Sequence, residues 1–183
     1  MATQTATALT ARPAPDEFLA YYGKYIALVP NGDVLATLEA QTERTVAVID
    51  RFGEANAGIR YAPGKWSVKQ VVGHLIDAER IFLYRALCAA RGERGELPGF
   101  DENAYVDEGG FDARTLNSLL GETTALRRST LSFFRNLEPP AFARRVVANG
   151  APVSVRALAW IIAGHELHHR ALIEERYAPL LTD

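Results

Sequence analysis

Ser154-Val-Arg-Ala-Leu-Ala-Trp160-Ile-Ile-Ala-Gly164-His165-Glu166-Leu-His168-His169-Arg-Ala-Leu-Ile-Glu-Glu-Arg176 is the stretch that settles the architecture. Its apolar residues recur with the helical period: Leu158, Ile162 and Leu172 share one stripe, with Val155 and Ile173 at its edge. A helix therefore starts at Ser154 and runs to Arg176 or Tyr177, ending before Pro179. Three further long segments repeat the pattern. One spans Asp33 to Glu54, with Leu35, Leu38, Val46, Ile49 and Phe52 on one face and Asp33 as N-cap. A second opens on Ser67-Val-Lys-Gln70, a capping-box pattern, and continues to Arg91. A third runs from Asp112 to Leu137 and stops before Pro139-Pro140. A shorter helix between Asp16 and Val29 places Phe18, Leu19, Tyr22, Ile26 and Val29 on one face. Sustained strand alternation is absent, and only Arg144 to Ala148 is faintly strand-like. The expectation is an all-α chain: a four-helix bundle with a short extra N-terminal helix and long inter-helix loops.

Composition agrees with one globular unit. The 183 residues are 48% hydrophobic and 23% charged, enough to fill a core without disulfides or a structural metal. Residues 1–15, rich in Thr, Ala and Pro, read as a flexible leader, and 16–183 as a single domain. Twenty Lys and Arg against twenty-two Asp and Glu leave no basic excess to offset a phosphate backbone, so nucleic acid is excluded as a partner. The longest apolar run, Ala157 to Gly164, is too short to cross a bilayer, and the N-terminus lacks a secretory pattern. A cytoplasmic address is the default, and a homodimer the commonest assembly. The single cysteine, Cys88, excludes an internal disulfide and a cysteine-based zinc cluster; within a helix it reads as a small buried hydrophobe. The segment Gly92 to Phe111, with Pro98, Phe100, Tyr105 and Phe111, is long for a connection. It can form a lid or substrate wall, or simply pack over the bundle end.

Three of the four histidines lie within five residues. His165 and His169 are one turn apart near the middle of the apolar stripe, while His168 is rotated to a flank. Two inward imidazoles at that spacing can reach one ion. A catalytic site takes three protein ligands, and His74, bordering the apolar arc of Val68, Val71, Val72, Leu75, Phe82 and Ala86, is the only other histidine. Spacing alone leaves its participation open. Neutral imidazoles suit zinc, nickel or iron better than magnesium or calcium. His165-Glu166-Leu-His-His169 also matches the HExxH zincin pattern. Only fourteen residues follow His169, however, and no strand is evident to hold a peptide, so a protease is disfavoured.

Glu79 and Arg127 sit at the centres of apolar stripes and are expected to pair across the bundle, as a register-fixing salt bridge. Glu166, on the inner flank of its helix, is the candidate for proton transfer. Asp77 lies nearly opposite the apolar arc and is expected to be solvated. Asp101 and Tyr105 could close over the site.

Tyr61-Ala-Pro-Gly-Lys-Trp66-Ser-Val-Lys-Gln-Val-Val-Gly-His74-Leu-Ile-Asp77-Ala-Glu79-Arg80 resembles the first motif of DinB-like proteins, as does the continuation through Pro98-Gly-Phe-Asp-Glu-Asn-Ala-Tyr105. Gly164-His165-Glu-Leu-His-His169-Arg170 is similar to that family's C-terminal HxxxH helix. The resemblance extends from about Asn31 onward. It implies a four-helix bundle holding a divalent metal through His74, His165 and His169, with His168 outside the ligand set. Members similar to the bacillithiol and mycothiol transferases activate a low-molecular-weight thiol at the metal, which then attacks an electrophile. The resemblance therefore implies a metal-dependent enzyme of thiol S-transfer, with a metal-dependent hydrolase or a non-catalytic, stress-associated metal-binding bundle as alternatives. An enzyme requires an open side to the site and a solvent-connected pocket near His165; a non-catalytic site would be closed.

Overall fold

The computed structural model describes residues 11–181. Three-residue 3-10 turns at Pro15–Glu17 and Ala20–Tyr22 lead into the short helix α1, Gly23–Ile26. The single N-terminal helix expected over Asp16–Val29 is thus broken into turns. Residues 1–10 of the expected leader lie outside the described residues. From Ala11 onward the chain is docked: Pro13 is buried, and the Arg12 guanidinium stands 4.7 Å from the Trp160 ring while donating to the carbonyls of Ile26 and Val29.

Four long helices follow the sequence pattern closely because their caps are encoded locally. Helix α2, Val34–Asp50, starts where the Asp33 carboxylate accepts from the amides of Leu35 and Ala36. After a turn and the short α3, Gly53–Asn56, helix α4 spans Val68–Arg91. Its capping box is complete: Ser67 Oγ accepts from Gln70 N at 3.0 Å, and Gln70 Oε1 accepts from Ser67 N at 3.0 Å. It ends on Gly92 in the left-handed conformation, φ 81°. The segment beyond contains α5, Glu102–Glu108, capped by Asp101, where the sequence suggested only loop. Helix α6, Leu116–Arg135, is capped by Thr115, and α7, Val155–Leu172, by Ser154 Oγ accepting from Ala157 N at 2.9 Å. Beyond α7 a π-turn, Ile173–Tyr177, completes the predicted length.

A small antiparallel hairpin joins α6 to α7. Strand β1, Arg145–Ala148, pairs with β2, Ala151–Ser154, in the register Arg145↔Ser154 to Ala148↔Ala151. Asn149 (φ 53°) and Gly150 (φ 74°) both have positive φ, the requirement of a type I′ turn. Leu97 bonds along β1, donating to Val147 O and accepting from Asn149 N, so the hairpin holds the segment that follows α4.

In the bundle α4 packs against α6 and α7, and α2 packs against the same two helices. Helices α2 and α4 therefore face each other across one diagonal. This arrangement makes α4 and α7, distant in sequence, direct neighbours. The interior has two apolar halves, one around Leu38, Phe134 and Trp160, the other around Ile49, Phe52, Leu119 and Tyr177. Between them, at the same level on all four helices, lies a polar layer containing Gln41, Glu79, Arg127, His165 and Glu166. No helix among the described residues is long and apolar enough to cross a membrane.

Candidate metal centre

The α4–α7 contact brings His74, His165 and His169 together. One ring nitrogen from each lies within 4.8 Å of the others, and Nε2 of His74 is 3.0 Å from Nε2 of His165. All three residues are buried. Aromatic rings hold them in place: Trp66 is 4.8 Å from His74, while Tyr25 and Phe82 stand edge-on to His165 at 5.3 and 5.8 Å. Tyr25 reaches this position because Gly164 has no side chain. A Cβ there would lie 2.0 Å from the Tyr25 carbonyl oxygen, so the backbone of α1 rests directly on α7. His168 lies on the flank, half-buried against Tyr25, and does not join the cluster.

Burial keeps these imidazoles neutral. It lowers the His74 pKa from 6.5 to about 4 and that of His169 to about 3. His165 is pushed well below 6.5 by burial and then by the neighbouring His169 and His74. Nδ1 of His169 is buried with no hydrogen-bond partner. Three converging neutral imidazoles, with no cationic side chain among the described residues forming an ion pair or hydrogen bond within the cluster, are the donor set of a zinc-type ion. The 3.0 Å separation is one that two metal–nitrogen bonds of about 2.0–2.1 Å can bridge. The residues therefore fit a divalent transition metal.

The depressed histidine pKa values set a pH dependence of folding. The unfolded chain takes up protons near pH 6.5, whereas the folded chain resists them until about pH 4, so stability is full above 6.5 and falls as the pH drops. Chelator-treated protein is expected to lose about 2 kcal/mol between pH 7 and pH 6, summed over three histidines. Urea midpoints at the two pH values measure this; equal midpoints would show that the imidazoles already titrate normally in the folded protein.

Beneath the histidines Arg127 ties all four long helices together. Its Nε and Nη2 donate to the two carboxylate oxygens of Glu79 on α4, at 3.0 and 2.8 Å. Nη2 also reaches Glu166 Oε2 on α7 at 2.6 Å, and Nη1 reaches the Leu38 carbonyl on α2 at 2.9 Å. Burial alone would lower the guanidinium pKa, but Glu79 and Glu166 more than reverse this and raise it. The Glu79–Arg127 pair is the one expected from sequence. Glu166, the residue the sequence offers for proton transfer, is the third member of this network: Gln41 Nε2 also donates to its Oε2, and it lines a small void beneath the histidines rather than the open cavity above them. Asp77 stands on the outer side of α4, 3.8 Å from Arg80 and without a bond to His74. Asp101 caps α5, and Tyr105 is exposed against Phe100.

Above the cluster a cavity of about 490 Å³ opens to solvent, reached by His74, His165, His168 and His169. Its walls include Tyr22, Tyr25, Phe82, Arg85, Phe100 and Glu102. Of these, Arg85 carried a signal in the sequence, since it shares the apolar face of Ala78, Phe82 and Ala89. The aromatic segment after α4 thus contributes a wall, through Phe100 and Glu102. It also contributes an anchor: Phe111 is buried on Gly73, where a Cβ would lie 2.3 Å from the ring.

Solved structures share the fold. YfiT from Bacillus subtilis, described as "a probable metal-dependent hydrolase with an unusual four-helix bundle topology", superposes with a TM-score of 0.69 at 19% identity, covering 97% of this chain and 98% of its own. A DinB-like protein of Bacillus subtilis, YjoA, gives 0.58 at 17% identity over 82% of this chain and 93% of its own. No curated protein sequence matches. The sequence model of the DinB superfamily matches residues 37–173, a span that starts within α2, includes every histidine and ends just past α7. The chain belongs to the DinB superfamily.

Proposed function

We propose that this protein is a metal-dependent enzyme in which His74, His165 and His169 hold a divalent zinc, nickel or iron ion. The observation that carries this is the solvent-connected cavity meeting the three buried imidazoles: a purely structural site would be closed on all sides. A bound divalent ion supplies Lewis acidity, which lowers the pKa of a thiol or a water molecule presented to it and yields a nucleophile at neutral pH. The chain's residues do the rest. Trp66, Tyr25 and Phe82 fix the imidazole planes and dry one side of the site, and the Arg127 network holds α4 and α7 in register so that the donors converge. We assign Glu166 to that register rather than to proton transfer.

Thiol S-transfer is the first reading: a small thiol and an electrophile share the cavity, and the thiol sulfur replaces the leaving group. Hydrolysis is the second, favoured by the description of YfiT. Turnover by zinc-, nickel- and iron-loaded protein separates them. With cysteine or glutathione as thiol and monochlorobimane as electrophile, conversion is expected to need both thiol and metal and to vanish in His169→Ala. Metal-dependent cleavage of ester or amide probes without thiol would assign the site to hydrolysis instead.

A further inference from the structure

The cavity above the histidines contains a buried cation that forms no ion pair among the described residues. Arg85, on α4, is 4% exposed. Among the described residues the other buried cations are paired, Lys69 with Glu54 and Arg127 with Glu79 and Glu166. Arg85 has no carboxylate within 4.0 Å among the described residues. Its Nη2 donates to the Pro98 carbonyl at 2.9 Å, and its guanidinium stands 5.9 Å from the Phe100 ring. The Tyr22 hydroxyl lies beside it, in a setting where burial raises the phenol pKa and Arg85 opposes the rise. An unpaired buried charge is expensive, and a guanidinium with free donors facing a cavity matches a planar two-oxygen anion.

Position defines the ligand further. His74 and Arg85 are eleven residues apart on one helix, about 16 Å of rise at 1.5 Å per residue. The aromatic side chains of Tyr22, Tyr25, Phe82 and Phe100 line the space between. Glu102, exposed at the same cavity, adds a negative charge that disfavours dianions and tolerates an ammonium group. We propose that Arg85 anchors the carboxylate of an elongated, apolar-bodied substrate whose reactive end lies at the three histidines. This rests on the cavity being the active site.

Calorimetric titration of full-length protein, zinc-loaded and chelated, with 4-phenylbutyrate and 6-phenylhexanoate against their primary amides and 4-phenylbutyl phosphate tests it. The carboxylates are expected to bind about 10-fold more tightly than the amides, a preference kept in chelated protein and reduced to within about two-fold in Arg85→Gln. Arg85→Lys should retain part of it. A preference that survives Arg85→Gln but disappears with the metal would place the carboxylate on the histidine centre and overturn the proposal. So would equal affinity for acid and amide, or tighter binding of the phosphate. Should Arg85→Gln fail to fold, a crystal structure of the wild type with 6-phenylhexanoate decides: carboxylate oxygens within hydrogen-bond distance of the Arg85 guanidinium support the proposal, and any other location contradicts it. Absence of turnover with the anion preference intact would count against the enzyme assignment alone.

Discussion

Arg127→Met is expected to destabilise the protein by about 3–5 kcal/mol, because it leaves two carboxylates buried without their counter-charge. Arg127 is 3% exposed and Glu79 6%, so water cannot take over the lost bonds without opening the bundle. For a chain of 183 residues this corresponds to a melting point lower by about 6–20 °C. The penalty belongs to the orphaned charges rather than to the arginine. The triple variant Arg127→Met, Glu79→Gln, Glu166→Gln should therefore recover a large part of the loss, and a triple variant no more stable than the single one would refute this. Metal affinity provides a second readout. Glu166 adjoins His165 and Glu79 lies one turn and a half from His74, so loosening the network should also weaken metal binding at the cluster.

Gly164→Ala is the second large effect. The added methyl would lie 2.0 Å from the Tyr25 carbonyl oxygen, 2.4 Å from its carbonyl carbon and 3.1 Å from its Cα. These are backbone atoms, so no rotamer change relieves the overlap, and α1 must move off α7. A loss of about 3 kcal/mol or more is expected, at the upper end of overpacking effects. Gly121→Ala serves as the control: it lies exposed in α6, nothing is within 4 Å of its built Cβ, and alanine is the better helix former. That variant should gain about 0.5–1 kcal/mol. Opposite signs at two helical glycines are the expected pattern, read by thermal or urea unfolding. A neutral Gly164→Ala would mean that α1 is not seated on α7 as described. Because Tyr25 moves with α1, the variant should also open the wall beside His165.

The fold was legible where information is local. Ser67 and Gln70 encode the start of α4, Asp33 that of α2 and Ser154 that of α7, each through a side chain bonding its own first turn. The Glu79–Arg127 pair was legible because a charge at the centre of an apolar stripe needs a partner, and two such charges stood on two helices. The structure also has the two charges meeting a third, Glu166. Periodicity places that residue inward but does not name the helix it faces, so its tie to Arg127 and Gln41 follows only from the α2–α6–α4–α7 arrangement. Of the hairpin, the sequence carries only a faint first strand at Arg144 to Ala148, which β1 matches; four residues are too few for alternation to register strongly, and Pro152 obscures the second strand. Asn149-Gly150 was its one strong signal. Helix α5 is seven residues long, below the length at which a period is visible. The approach of His74 to His165 and His169 depended on α4 and α7 being neighbours, which spacing within either helix does not encode.

The most direct measurement is elemental analysis of tag-free protein, with His74→Ala, His168→Ala and His169→Ala prepared alongside and circular dichroism confirming that each is folded. About one equivalent of zinc, nickel or iron per chain is predicted for the wild type and for His168→Ala, with loss of the metal in His74→Ala and His169→Ala. Stoichiometric metal retained in His169→Ala, or none taken up by the wild type after divalent ions are added back, would contradict a three-histidine metal centre and with it the proposed chemistry.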